Sequence, residues 1–197
     1  MRDYSKLLAL AGKNNGYIFS KDVVSLNIAK DYLKFAVQDG IIEKVAHGIY
    51  IEKDNFIDTL FVYQKVNSRV VFSAFTSAYL LDLTTRDTDI IYGSTPMNYY
   101  SKSAKGDKNV IIREKKEIYN IGITEIKTSF GNTVKVHDIH RTVCDLFSPK
   151  YVGDKFVQIE ALKTYLRRED KDTIKLMTYA KLLGVDKQLR EKLEVLL

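Results

Sequence analysis

The chain has 197 residues, 45% hydrophobic and 28% charged, with ten Gly and two Pro, a globular composition that excludes a disordered or fibrous protein. One cysteine excludes an intramolecular disulfide and a zinc site built from several thiolates. The net charge of +6 is spread, with 8 Lys/Arg against 6 Asp/Glu in residues 1–53 and 23 against 19 in the remainder, so any nucleic-acid site must be a local patch.

The opening MRDYSKLLALAGKNNG has too short an apolar run for a signal peptide, and no later run approaches a membrane span. A cytoplasmic protein with no membrane partner is expected.

Periodicity predicts a first helix over Tyr4–Lys13, with Leu7, Leu8 and Ala11 on one face. Ser20 is expected to cap a short second helix through Val23 and Val24. After a turn at Ser25–Asn27, a third helix is expected over Ala29–Asp39. Leu33, Ala36 and Val37 fit its inner face, with Tyr32 alongside; Lys30, Asp31, Lys34 and Gln38 point outward. Gly40 stops it in the left-handed conformation. DGIIEKVAHGIY, residues 39–50, then reads as a hairpin. Ile41, Ile42 and Val45 form one strand, and Ile49, Tyr50 and Ile51 the other. Of Ala46, His47 and Gly48 between them, only Gly48 takes positive φ without cost.

Three short helices followed by a small hairpin is the layout of a winged helix-turn-helix. The residues expected at duplex DNA are Ser20, Lys21, Asn27, Lys30, Tyr32, Lys34, Lys44 and His47. Lys30 and Lys34, one turn apart, supply phosphate neutralisation, and Asn27 can pair with an adenine edge. Lys44 and His47 lie where a wing meets the backbone. Asp31 either opposes phosphate or accepts from a cytosine N4. The plainer alternative is a solvated helix face.

From Asp54 onward the pattern changes. A helix is expected over Asn55–Val66, a strand end and helix in VVFSAFTSAYLLDL, and a strand in DIIYGS. STPMNYYSKSAKGDKN reads as a loop. NVIIREKKE, IGITEIKTSFG and TVKVHD read as strands. HRTVCDLFS, DKFVQIEALKTYLRRE, DTIKLMTYAKLLG and KQLREKLEVLL read as helices. The expected class is α+β, with a winged helix-turn-helix over residues 1–53 and a mixed α/β domain over 54–197.

No phosphate-binding Gly loop, nucleophile elbow or HExxH is present, and no catalytic residue is assigned. His137 and His140, with Asp138 and Asp145 near, suggest a metal but lack a clear ligand set, so no metal or cofactor is expected. Cys144 is expected as a buried, inert thiol. Loose Glu–Lys alternation in IREKKE and ITEIK keeps a divergent nuclease as a third reading, although charged strand positions usually face solvent.

The chain resembles the AbiEi family of bacterial antitoxins. The resemblance is carried by Gly16, Tyr17 and Ile18 before the second helix. Gly40, Lys44, Val45, Gly48, Ile49 and Tyr50 carry it at the helix stop and hairpin, and the stretches VFSAFTSAYLLDLTT and VKVHDIHRTVCDLF carry it later. Arg, frequent in the family's third helix and hairpin, is absent there; Lys30, Lys34, Lys44 and His47 are the basic residues present.

The resemblance implies a type IV toxin–antitoxin system of abortive infection, a form of phage defence. The winged helix would repress the chain's own operon by binding promoter repeats. The C-terminal domain would neutralise a nucleotidyltransferase-like toxin without a stable complex. Lys163, Arg167, Arg168 and Lys175 on the late helices are the residues expected to carry antitoxicity. The alternative is a stand-alone winged-helix regulator whose C-terminal domain senses a ligand or forms oligomers.

Overall fold

The structure, a computed structural model, describes residues 2–101, 103, 104, 106 and 108–196. Lys102, Lys105 and Asp107 of the expected STPMNYYSKSAKGDKN loop lie outside the described residues. The fold is mixed α+β, with ten helices and two sheets among the described residues. No helix among them is long and apolar enough to cross a membrane. The chain divides into two compact units. One comprises the residues up to Val66 together with 127–133, and the other comprises 67–126 and 134 onward.

In the first unit, α1 (Ser5–Lys13) leads into β1 (Tyr17–Phe19), α2 (Ser20–Ser25) and α3 (Asp31–Gln38). Strands β2 (Ile42–Ala46) and β3 (Ile49–Glu52) follow, then α4 (Thr59–Val66). The strands form an antiparallel sheet in the order β1-β3-β2, with Tyr17 opposite Ile51 and Ile42 opposite Glu52. Strand β1 is not anticipated from sequence, because three residues carry no readable period. Gly40 ends α3 with φ +69°, as expected.

Tyr4, Leu7, Ala11, Ile18, Val23, Leu33, Ala36 and Ile42 make the core of this unit, with Tyr50 packed against it. Leu8 and Val37, expected inside, are each 38% exposed. Tyr4, Leu7 and Ala11 already fill the inward stripe of α1, and Leu33 with Ala36 fills that of α3. Leu8 and Val37 therefore fall on the flanks.

Helix α4 starts at Thr59 rather than Asn55, and buried Asp58 precedes it. Its carboxylate accepts from the Phe61 amide (3.0 Å), the Thr128 hydroxyl (2.6 Å) and the Asn132 side-chain amide (2.9 Å). Its own amide donates to the Tyr17 hydroxyl (2.8 Å). Four hydrogen bonds thus tie α4, β1 and the 127–133 turn together through one residue. Both α4 and that turn lie beyond the boundary expected at residue 53.

The second unit holds β4 (Val71–Phe72), α5 (Ala74–Leu80), β5 (Ile91–Pro96), β6 (Asn109–Glu114) and α6 (Lys116–Tyr119). Strands β7 (Ile123–Lys127) and β8 (Thr133–His137) precede α7 (Ile139–Leu146), α8 (Lys155–Arg167), α9 (Thr173–Leu183) and α10 (Asp186–Leu196). The sheet order is β6-β5-β4-β8-β7, with β4 antiparallel to β5 and parallel to β8. Asp138, Asp154 and Asp172 cap α7, α8 and α9 by accepting a backbone amide at each start. Phe75, Tyr92, Val143, Leu146, Leu162, Tyr165 and Leu176 belong to the core that these helices share.

Candidate functional site

The first unit brings the expected DNA-facing residues onto two adjoining features. Ala46 pairs with Ile49, so the hairpin turn is only His47 and Gly48. Gly48 has φ +70°, and a Cβ there would stand 2.7 Å from Ser20 Oγ. Ser20 is the first residue of α2 and not its cap, which corrects the expectation. Its hydroxyl donates to the Gly48 carbonyl (3.2 Å), and so does its amide (2.9 Å). The start of α2 is thereby bolted to the hairpin turn. Lys21, Lys44 and His47 are exposed around that junction.

Asn27, Lys30 and Lys34 form the second feature. Asn27 is exposed with φ +55°, making the turn between α2 and α3. Lys30 occupies the N-cap position of α3, and Lys34 lies one turn into it. Both are exposed, and so is Asp31. Tyr32 departs from this group. It is half-buried, its ring packs on Tyr4 (5.2 Å between centroids), and its hydroxyl donates to the Asp3 carbonyl. At the other end of α3, Asp39 accepts from the Tyr4 hydroxyl (2.6 Å) and pairs with Arg2 (3.2 Å). These contacts, the Tyr4 bond foremost, hold the Asp39 carboxyl below its ordinary value.

The second unit contains a buried polar cluster that sequence reasoning missed. Arg141, fully buried, donates from Nε to Asp145 Oδ1 (2.8 Å) and from Nη1 to the Ile118 carbonyl (2.7 Å). Its Nη2 reaches both Glu114 oxygens at 2.9 Å. His137 Nδ1 lies 2.6 Å from Asp145 Oδ2, and its Nε2 lies 3.2 Å from Ser94 Oγ. Burial pushes the Asp145 carboxyl up, but His137 and Arg141 together outweigh it and hold the group below its ordinary value. Arg141 and Lys150, whose Nζ is 3.9 Å from Glu114, balance the two carboxylates.

Ser94, His137 and Asp145 have the connectivity of a hydroxyl–imidazole–carboxylate relay. Ser94 and His137 are 0% exposed, so no substrate reaches the hydroxyl in this conformation. The cluster instead joins β5, β6, β8 and α7, with Ser94, Glu114 and His137 on the three strands and both Arg141 and Asp145 on α7. Glu114, which falls in the IREKKE stretch, is clamped by Arg141 and is not free to bind a metal. The i, i+4 spacing of the oppositely charged Arg141 and Asp145 within one short helix is the signal that would have exposed the cluster.

His140 points elsewhere. It is 6% exposed, and neither ring nitrogen has a hydrogen-bond partner. Its ring stands edge-on to Tyr165 (5.7 Å) and Tyr179 (6.4 Å). Burial, the largest influence, lowers its pKa below the usual 6.5. The two histidines therefore occupy different surroundings, and no group of three metal-ligating side chains exists among the described residues. Cys144 is buried, its Sγ 3.6 Å from the Leu176 carbonyl, and burial pushes its thiol pKa well up.

Of the four basic residues expected to carry antitoxicity, Lys163 and Arg167 are exposed one turn apart on α8. Arg168 pairs with Asp170 (2.7 Å), and Lys175 with Asp138 (2.9 Å). A cavity of about 470 Å³ opens in the same unit, lined by Phe75, Tyr92 and Val157 and by the charged Arg86, Asp87 and Asp154. No protein-family model matches the chain, and no curated protein matches it.

Proposed function

We propose that the chain is a DNA-binding antitoxin that represses its own operon and neutralises a nucleotidyltransferase-like toxin. The observation that carries the DNA-binding half is the helix–strand–helix–helix–hairpin order of the first unit. Its sheet order is β1-β3-β2, and its hairpin is pinned beside α2 by the Ser20–Gly48 bonds. That order is the one a winged helix-turn-helix uses, with α3 entering the major groove and the hairpin reaching the backbone. Lys30, Lys34 and Lys44 supply the positive charge, His47 a ring nitrogen for hydrogen bonding, and Asn27 the base-edge contact.

The antitoxin half rests on the resemblance to the AbiEi family. Its two later motifs fall on strand-to-helix passages, β4 into α5 and β8 into α7, whose strands are parallel neighbours. Neutralisation in this reading needs no stable complex, which suits a surface of dispersed basic residues such as Lys163 and Arg167. The test is co-expression with the nucleotidyltransferase-like gene of the same operon from unrelated promoters, scored by growth. Rescue is expected; a toxic gene left unchecked by soluble protein would refute the antitoxin role.

One observation favours the second reading, a regulator that senses a ligand. The cavity of about 470 Å³ has the size and mixed lining of a small-molecule pocket. In that reading an occupant of the cavity changes DNA affinity, and the toxin gene is not rescued.

A further inference from the structure

Phe19 closes β1, and two ammonium groups converge on its ring. Lys21 Nζ of α2 and Lys65 Nζ of α4 each lie 5.8 Å from its centroid. Lys65 Nζ also sits 4.9 Å from the centroid of Phe61, whose ring meets Phe19 edge-on at 6.3 Å. The two cations are thus no further apart than twice 5.8 Å. Among the described residues neither forms an ion pair with a carboxylate. The aromatic rings hold both side chains in place while leaving their charge unneutralised.

Position gives this pair its meaning. Ser20, next to Lys21, is hydrogen-bonded to Gly48 in the hairpin turn. Lys21 thus adjoins the hairpin turn through Ser20, and the Phe19 ring links it to Lys65 on α4; both lysines are exposed, as are Lys44 and His47. Asp22 and Asp58 are the acids nearest in sequence to Lys21 and Lys65. Neither is paired with these lysines, and the Asp58 carboxylate is taken up by Phe61, Thr128 and Asn132. Duplex DNA carries about one negative charge per 1.7 Å of axis, so phosphates recur densely enough to meet cations held this close together.

We propose that Lys65, with Lys21, grips the phosphate backbone flanking the hairpin, so that the nucleic-acid footprint extends past α3 and the hairpin onto α4. This rests on the DNA-binding reading above. Lys65 carries no sequence information in this role; it positions the unit on the duplex.

The experiment uses the full chain and a fluorescein-labelled, mixed-sequence DNA duplex, with anisotropy titrations between about 50 and 200 mM salt. Lys65→Ala should lower the slope of log affinity against log salt by about one. The affinity advantage of the unsubstituted chain over the variant should shrink about 3.5-fold across that range. Lys65→Arg should keep the slope, and both variants should keep the unsubstituted circular dichroism and melting behaviour. If the chain binds duplex DNA but Lys65→Ala leaves slope and affinity unchanged, α4 is outside the footprint and the proposal is overturned alone. If the unsubstituted chain binds no duplex at any salt, the DNA-binding reading falls and takes this proposal with it.

Discussion

Ser20 donates twice to the carbonyl of Gly48, from its amide at 2.9 Å and its hydroxyl at 3.2 Å. This contact couples the start of α2 to the hairpin turn across 28 residues of chain. It explains why Ser20 does not cap its helix: the hydroxyl is already engaged by the turn.

The first prediction concerns Gly48. Valine there meets two obstacles, a φ of +70° and a Cβ 2.7 Å from Ser20 Oγ. The positive φ alone costs on the order of 1–3 kcal/mol for a branched side chain. Gly48→Val should lower the urea midpoint and weaken DNA binding together. Lys44→Ala and His47→Ala should leave the midpoint unchanged and reduce only the affinity.

Arg141 gives a second prediction, on stability alone. Removing it strands Glu114 and Asp145 in the interior, and breaking a buried ion pair costs about 3–5 kcal/mol. Arg141→Met should show that loss in urea denaturation. An unchanged midpoint would mean that the cluster contributes nothing to holding β6 and α7 together.

Asp145 supplies a pH dependence with a definite sign. Its folded pKa lies below the unfolded one, so its contribution is complete above the ordinary carboxylate value of about 4 and is lost as pH falls through the folded value. Asp145→Asn should abolish that acid limb while destabilising the protein at neutral pH. The check is the midpoint of denaturation measured across the acid range.

His140 should act at milder pH. Its folded pKa is lowered, chiefly by burial, so the unfolded chain takes up more protons. Asp138, Asp170 and Asp172 face it and oppose that shift, while Lys175 reinforces it. Its stability contribution is therefore full above about pH 6.5 and declines as pH falls below that value. His140→Phe leaves no orphaned ring nitrogen between Tyr165 and Tyr179, so stability should become flatter between about pH 7 and 5. A steeper decline in the variant would count against this assignment.

Much of the fold is legible in the residues, for reasons that can be named. Gly40, Gly48 and Gly184 stand at positive φ where a helix or hairpin ends, and Asp138, Asp154 and Asp172 stand at helix starts. Long amphipathic stretches such as DKFVQIEALKTYLRRE locate α8 to within a turn. Strand β1 and helix α6 are too short to show a period. The 127–133 turn belongs with the first unit because Asp58 accepts from Thr128 and Asn132, 70 and 74 residues away, and no local pattern announces such a bond. The same limit hid the buried cluster. Arg141 and Asp145 are neighbours in sequence, but Ser94 and Glu114 reach them only through the pairing of strands.

The central claim is that α3 and the hairpin of the first unit hold duplex DNA. It is tested most directly by measuring the salt dependence of affinity for a duplex from upstream of this gene, for the unsubstituted chain and for Lys30→Ala combined with Lys34→Ala. The expected result is tighter binding to that duplex than to a scrambled one, with the slope reduced by about two in the double variant and the circular dichroism unchanged. Equal affinity for both duplexes, together with an unchanged slope in the double variant, would contradict it.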